Sequence, residues 1–259
     1  MSENNNNKSV MTDLWKYVII AVAVVVSAIV LSMAYTEKHQ KKSEKDGTIT
    51  VTGLGEMQFT SDMISVQGAI SVNNVDAAEG YRHLMSQREQ LVAFLVKNGV
   101  KESEVTFDLP RTYKNTETIW NEHGDYAGTR FVDYTVYISF VIESSNLDVV
   151  EGAAQLLPSL IEQGIDISVS DPNYFYTQLD SLKHDLISQA AADAYERAQK
   201  IAISSGAEIK TLESSRAGVF QITSVNGNEE FSAGGTYNTT SREKKARVTV
   251  HSVFVIKEK

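Results

Sequence analysis

The chain has no cysteine in its 259 residues. A disulfide framework, a thiol nucleophile and a thiolate-ligated metal are therefore excluded. The absence agrees with an oxidising compartment, where a free thiol is a liability, without requiring one. Basic residues are also short, with 24 Lys and Arg against 33 Asp and Glu and a formal net charge of −9. Six lysines before residue 46 face only four acids, which leaves 18 basic and 29 acidic side chains in 46–259, about −11. Nucleic acid is a poor partner for such a surface, because phosphates need a basic one. The five histidines are scattered, and no internal sequence repeat is visible. The sequence nominates no catalytic residue, no cofactor-binding residue and no metal ligand set, so a non-enzyme is expected.

The remaining composition is that of a globular protein, 42% apolar and 22% charged. The length allows one or two domains, each with a proper core. Residues 1–16 are polar and Asn-rich and read as a disordered tail. Residues 17–35 carry no charge, and that length just spans a bilayer core of about 30 Å. Trp15, Tyr17 and Tyr35 stand at its ends, where interfacial aromatics belong. The run is expected to be an uncleaved N-terminal transmembrane helix that holds the chain in the membrane. The alternative is a signal peptide cleaved after Ser32-Met33-Ala34. Residues 36–46 form a charged linker, and 47–259 form the folded domain. Lysines flank the run on both sides, with slightly more after it, so charge alone leans towards a cytoplasmic domain.

The strongest helical signal covers 177–206. Leu179, Leu182, Leu186, Ile187, Ala190, Ala194, Ala198 and Ile201 recur at steps of three and four. No proline interrupts them, and Gly206 stands where a C-terminal cap belongs. The alanine-rich second half buries little area but lets a partner backbone come close. A second helix is expected over 76–98, with Asp76 and Glu79 as a capping box, a stripe through Ala77, Tyr81, Leu84, Met85, Leu91, Val92 and Leu95, and Gly99 at its end. A shorter helix over 147–163 is broken or kinked by Pro158. Strands are expected over 48–52, 64–72, 105–120, 129–143, 165–169, 209–225 and 246–256. Residues 121–125 read as a hairpin tip, and Gly53 and Gly55 as a bulge or bend. Residues 226–245 read as a polar loop, functional or mobile. The resulting order is ββα-ββα-β-α-ββ behind one transmembrane helix, an α+β fold of antiparallel sheets packed with helices.

Chemistry is hard to find in this pattern. Asp180 and His184 could offer two ligands on one helix face, but zinc needs three or four. Ser181, His184 and Asp185 share a helix, where neighbours rarely form a nucleophilic triad. Tyr174, Phe175 and Tyr176 are better core residues than a ligand cage. Asn238-Thr239-Thr240 matches a glycosylation sequon.

The order and spacing of several short motifs resemble the SIMPL domain family, also called DUF541. The opening Ile49-Thr50-Val51-Thr52-Gly53-Leu54-Gly55-Glu56 is similar to the family's first strand, and the spacing to Asp62 matches. So do Leu95-Val96-Lys97-Asn98-Gly99-Val100 followed by Glu104-Val105-Thr106, then Tyr134-Thr135-Val136, and Val169-Ser170-Asp171-Pro172 before the long helix. The helix ending at 192–202 and the following Ser204-Ser205-Gly206-Ala207 complete the likeness. The resemblance implies a bacterial envelope protein, with its C-terminal domain in the periplasm and one pass through the inner membrane. If the signal is cleaved, it implies a secreted periplasmic protein. Relatives include a periplasmic immunogen that forms a large channel-like oligomer and a protein of oxidative-stress defence. A non-catalytic binding or assembly role is therefore expected, with self-association into a homo-oligomer, the membrane as a partner and no cofactor. The competing expectations are an enzyme or metal-dependent redox-defence protein using His184 and Asp180, and a signalling adaptor like the one that gave the family its name.

Overall fold

The computed structural model describes residues 22–33, 47–230 and 232–258. The expected tail 1–16 and linker 36–46 lie outside the described residues, as do 17–21 and 34–35 of the apolar run. Residues 22–33 form a helix, α1. Among the described residues no helix is long and apolar enough to cross a membrane. The chain divides into two compact units. Of the described residues, one takes in 22–33, 47–51, 195–215 and 252–258, and the other 52–194, 216–230 and 232–251.

The larger unit contains a six-stranded sheet. Its elements are β2 (Met63–Asn74), α2 (Ala77–Lys97), β3 (Val105–Phe107), β4 (Arg111–Trp120), β5 (Tyr126–Ser144), α3 (Leu147–Leu156), β6 (Asp166–Val169) and β7 (Asn173–Phe175). The strand order is β3-β5-β2-β6, with β4 also on β5 and β7 also on β2. All these pairings are antiparallel. This is the split βαβ arrangement of ferredoxin-like sheets. Strand alternation builds the core, because every second side chain points to one face. Ile64, Val66, Ile70 and Val72 of β2 and Val136, Ile138, Phe140 and Ile142 of β5 are buried with Leu84, Leu91 and Leu95 of α2.

Three local features differ from the sequence expectation. The strand expected over 105–120 is two strands, because Pro110 has no N–H to give to a ladder and separates β3 from β4. At the start of α2 the Asp76 carboxylate does accept from the Ala78 and Glu79 N–H groups. The reciprocal half of the box is not made: the Asp76 N–H donates to Asn74 Oδ1, and Glu79 pairs with Arg82 at 2.7 Å. The buried face of α2 also runs through Gly80 rather than Tyr81, which is exposed. Pro158 acts as expected: α3 stops at Leu156, and a 3-10 turn over Leu157–Gln163 follows.

The second sheet contains β1 (Gly47–Thr60), β8 (Ala207–Ala217), β9 (Gln221–Ser224), β10 (Thr236–Tyr237) and β11 (Glu243–Glu258). Its order is β1-β11-β9-β10, with β8 also on β11. Most of its long helix, α4 (Leu179–Ser204), belongs to the larger unit. There Leu182, Leu186 and Ala190 pack on Ile222, Ala246, Val248 and Val250. Side-chain pairs show that β1 and β11 run antiparallel: Thr60 bonds Glu243, Glu56 pairs with Arg247, and Thr52 bonds His251. The sheet is mixed, since β10 lies parallel to β9.

Gly53 and Gly55 are neither bulge nor bend. They lie inside the continuous strand β1 and face α4. A Cβ on Gly53 would stand 2.0 Å from the Ala190 carbonyl oxygen, and one on Gly55 would stand 2.2 Å from that of Leu186. Two missing side chains on the strand thus meet the alanine stripe of the helix, and backbone packs on backbone. The buried stripe of α4 is narrower than expected. It runs through Leu182, Leu186, Ala190, Ala194, Ala198 and Ala202 at strict steps of four, while Ile201 is exposed.

Within the smaller unit, Tyr195 meets Phe254 edge-on at 5.9 Å, Ser215 bonds Ser252 at 3.1 Å and Lys257 pairs with Glu208 at 2.8 Å.

Candidate functional site

The chemically unusual group of the larger unit is Lys244. Strand alternation places it on the inward face of β11, in line with Ala246, Val248 and Val250, and its side chain is fully buried. Its ammonium donates to the Asn238 carbonyl at 2.7 Å and to the Ser241 carbonyl at 2.6 Å. A third contact, to Asn238 Oδ1, is long at 3.5 Å. Burial lowers the Lys244 pKa to about 8, with Glu229 nearby opposing that shift.

The segment before Lys244 is built around this amine. Glu229 accepts the N–H and hydroxyl of Ser224 at 3.1 and 3.0 Å, and the Asn238 side-chain amide at 2.7 Å. Those bonds, first the Ser224 N–H, hold its carboxyl below the usual range, so it is ionised at neutral pH. Asn238 Oδ1 in turn accepts the Ser241 N–H at 2.9 Å. Gln221 and Ser232 clasp each other twice, side-chain amide to backbone, at 2.7 and 3.3 Å. Arg242 reaches Asp148 of α3 at 2.6 Å, and Thr239 accepts the Tyr174 N–H of β7. The expected polar loop is therefore a hydrogen-bonded junction segment that, within the larger unit, ties β9 and the start of β11 to α3 and β7. Asn238 of the sequon spends its amide inside that junction.

Beside the junction lies a cavity of about 330 Å³, lined by Leu54, Val219, Gln221, Ser232, Ala233 and Arg247. Its size is at the lower end for small-ligand sites. Arg247 on its wall is held by Glu56 at 2.8 Å.

The residues weighed from sequence do not converge. Asp180 pairs with Lys183 at 3.6 Å, and His184 is exposed on α4 with Ser181 and Asp185. Among the described residues no group of three or more His, Asp or Glu is placed to hold a metal. His251 Nδ1 meets Thr52 Oγ1 at 2.8 Å. Tyr174 packs against one core and Tyr176 against the other, where it meets Phe59 at 4.7 Å. Sequence reading missed Lys244, Glu229 and Asn238. The available signal was parity: Lys244 sits two residues before Ala246 on the apolar side of an alternating strand.

A second feature is the ribbon formed by β4 and β5. Its tip is a turn in which Asn121 Oδ1 accepts the His123 and Asp125 N–H groups, as expected for 121–125. Trp120 and Tyr126 cross edge-on at 6.5 Å and are both mostly exposed. Ile119, Phe131 and Val132 are exposed too. Val132 alternates in register with Val136, Ile138 and Phe140, but burial on that face of β5 begins only at Val136.

Comparison with curated proteins yields no match. Among solved structures, the de novo designed protein Foldit4 is 13% identical, with 42% of this chain and 93% of that one covered and a TM-score of 0.23. A variant of SnoaB, a cofactor-independent oxygenase from Streptomyces nogalater, is 11% identical over 46% and 95%, with a TM-score of 0.21. The regulatory subunit of aspartate kinase from Thermus thermophilus is 12% identical over 78% and 87%, with a TM-score of 0.20. Residues 49–254, which include the Gly53–Gly55 step, the long helix and the Lys244 junction, match the SIMPL family, a family of unknown function (DUF541), and the chain belongs to it.

Proposed function

We propose that the protein is a membrane-anchored, envelope-facing module that binds or assembles and does no chemistry on a diffusing substrate. The observation that carries this reading is the β4–β5 ribbon. Among the described residues β4 pairs with β5 alone, and the ribbon carries Trp120, Tyr126, Phe131 and Val132 exposed near its tip. An edge strand flanked by exposed aromatics is an interaction surface. A second copy of the chain is its expected partner, and a closed ring its expected assembly. The anchor is supported by α1, whose Val22, Val24, Val25, Val26, Ile29, Val30, Leu31 and Met33 are all exposed. A helix that is apolar all round belongs in a core or a bilayer. A role in envelope or oxidative-stress defence accords with the family resemblance.

Two measurements test the reading. Protease added to spheroplasts that express the full chain should digest the domain, and the mature N-terminus should precede residue 17. Protection from protease would reverse the topology, and a mature terminus at Tyr35 would mean a cleaved signal. Sedimentation of the detergent-solubilised chain should show an oligomer at micromolar concentration. A monomer there would remove the assembly role.

A further inference from the structure

We propose that Lys244 and Asn238 react with each other once the chain has folded, and form an intramolecular isopeptide cross-link between Lys244 Nζ and Asn238 Cγ. The four parts such a reaction needs are all present. The nucleophile is a primary amine, fully buried on β11. The electrophile is the Asn238 side-chain amide, whose oxygen lies 3.5 Å from that amine. An N–H donor, from Ser241, already points at this oxygen at 2.9 Å. A carboxylate, Glu229, already holds the amide nitrogen at 2.7 Å.

The geometry also orients the amine. Two short contacts, to the Asn238 and Ser241 carbonyls, take two N–H groups. The neutral amine has only those two N–H groups to give, which leaves its lone pair for its third neighbour, the Asn238 amide with Oδ1 3.5 Å away. Burial of the Lys244 amine favours that neutral form.

The step balances without an oxidant or co-reactant. One proton of the Lys244 ammonium passes to the Glu229 carboxylate. The freed lone pair forms the Nζ–Cγ bond, and the carbonyl π pair moves onto Oδ1, where the Ser241 N–H holds it. The C=O bond re-forms and the Cγ–Nδ2 bond breaks. Nδ2 takes the proton stored on Glu229 and leaves as ammonia, which carries off a second Nζ proton as ammonium. The products are one secondary amide and one ammonium ion, so charge and atoms are conserved. Glu229 ends as it began, and the event happens once per chain.

The test is intact-mass measurement of the purified full chain under denaturing conditions. The expected mass is below the sequence mass by one ammonia, about 17 Da, with residues 238 and 244 found in one branched tryptic peptide. The full sequence mass, with Lys244 open to an amine-acetylating reagent after denaturation, overturns the proposal. A Lys244→Met chain that still lacks about 17 Da also overturns it, because the loss would then be an asparagine cyclising on its own backbone. Glu229→Gln keeps the size and the hydrogen-bonding shape of the site. That variant should fold, as judged by circular dichroism, and keep the full mass. If it instead loses ammonia at the wild-type rate, the mechanism given to Glu229 is overturned.

Discussion

Asp193 of α4 accepts the Leu54 N–H of β1 through Oδ2 at 2.8 Å, across 139 residues of sequence. One turn earlier on the same helix, Gln189 accepts the Glu56 N–H at 3.2 Å. These N–H groups belong to a strand at the end of its sheet order. The helix therefore occupies hydrogen-bonding positions that a foreign strand would use. Asp193→Ala should lower stability by about 1–3 kcal/mol, because a partly buried donor is left without its acceptor. It should also raise the light scattering of warmed samples as the β1 edge opens. Scattering unchanged from the parent chain would show that this edge needs no such cover.

The strand–helix contact at Gly53 and Gly55 makes an opposite prediction for two kinds of glycine. Gly53→Ala forces a methyl group onto the Ala190 carbonyl oxygen and should cost about 3 kcal/mol or more. Gly152 lies in α3 with nothing within 4 Å of a built Cβ. Gly152→Ala should gain about 0.5–1 kcal/mol from helix propensity alone. Thermal melts of the two variants should move in opposite directions.

Tyr174 should be the last tyrosine observed to ionise. Burial and its hydrogen bond to Glu151, 2.8 Å long, push its pKa up to about 12. A folded pKa above the unfolded value means that the associated stability is complete below about pH 10 and is lost as pH rises towards 12. Alkaline titration of tyrosine absorbance should show one late group, absent from Tyr174→Phe. The variant should also lose less stability than the parent between those pH values.

Trp120→Ser combined with Tyr126→Ser should leave the fold intact, at a cost of at most about 1 kcal/mol for the lost cross-strand pair. If the ribbon mediates assembly, the same double variant should sediment as a monomer. An unchanged oligomer would move the interface elsewhere.

Much of this architecture was legible because periodicity reports burial. The strand expected over 129–143 and the helix expected over 177–206 from steps of three and four gave the correct elements, and Pro158 marked its break correctly. Pro110 carried a signal of the same kind that the alternating residues around it obscured. The role of Gly53 and Gly55 was not legible, because a glycine pair in a strand suits a bulge as well as a close approach, and only α4's position decides between them. The Lys244 junction was harder still. Its Glu229, Asn238 and Ser241 lie in a polar segment with no period, and a polar segment looks the same whether it faces water or a buried amine. Only the parity of Lys244 on β11 pointed inward, and lysine at such a position is ordinarily read as surface.

The pairing of Thr52 with His251 spans 199 residues, and this has a consequence for the order in which the chain acquires structure. The six-stranded sheet is drawn from residues 63–175 and can close as soon as those residues have emerged. Strand β1 is made first but has no ladder to join until β11 is synthesised. At about 5–20 residues per second that wait is roughly 10–40 s. During it, an extended strand lies open to any chaperone or neighbouring nascent chain. Contacts so distant in sequence also slow the search that ends it. The last segment to be translated thus controls when the first one becomes safe from aggregation.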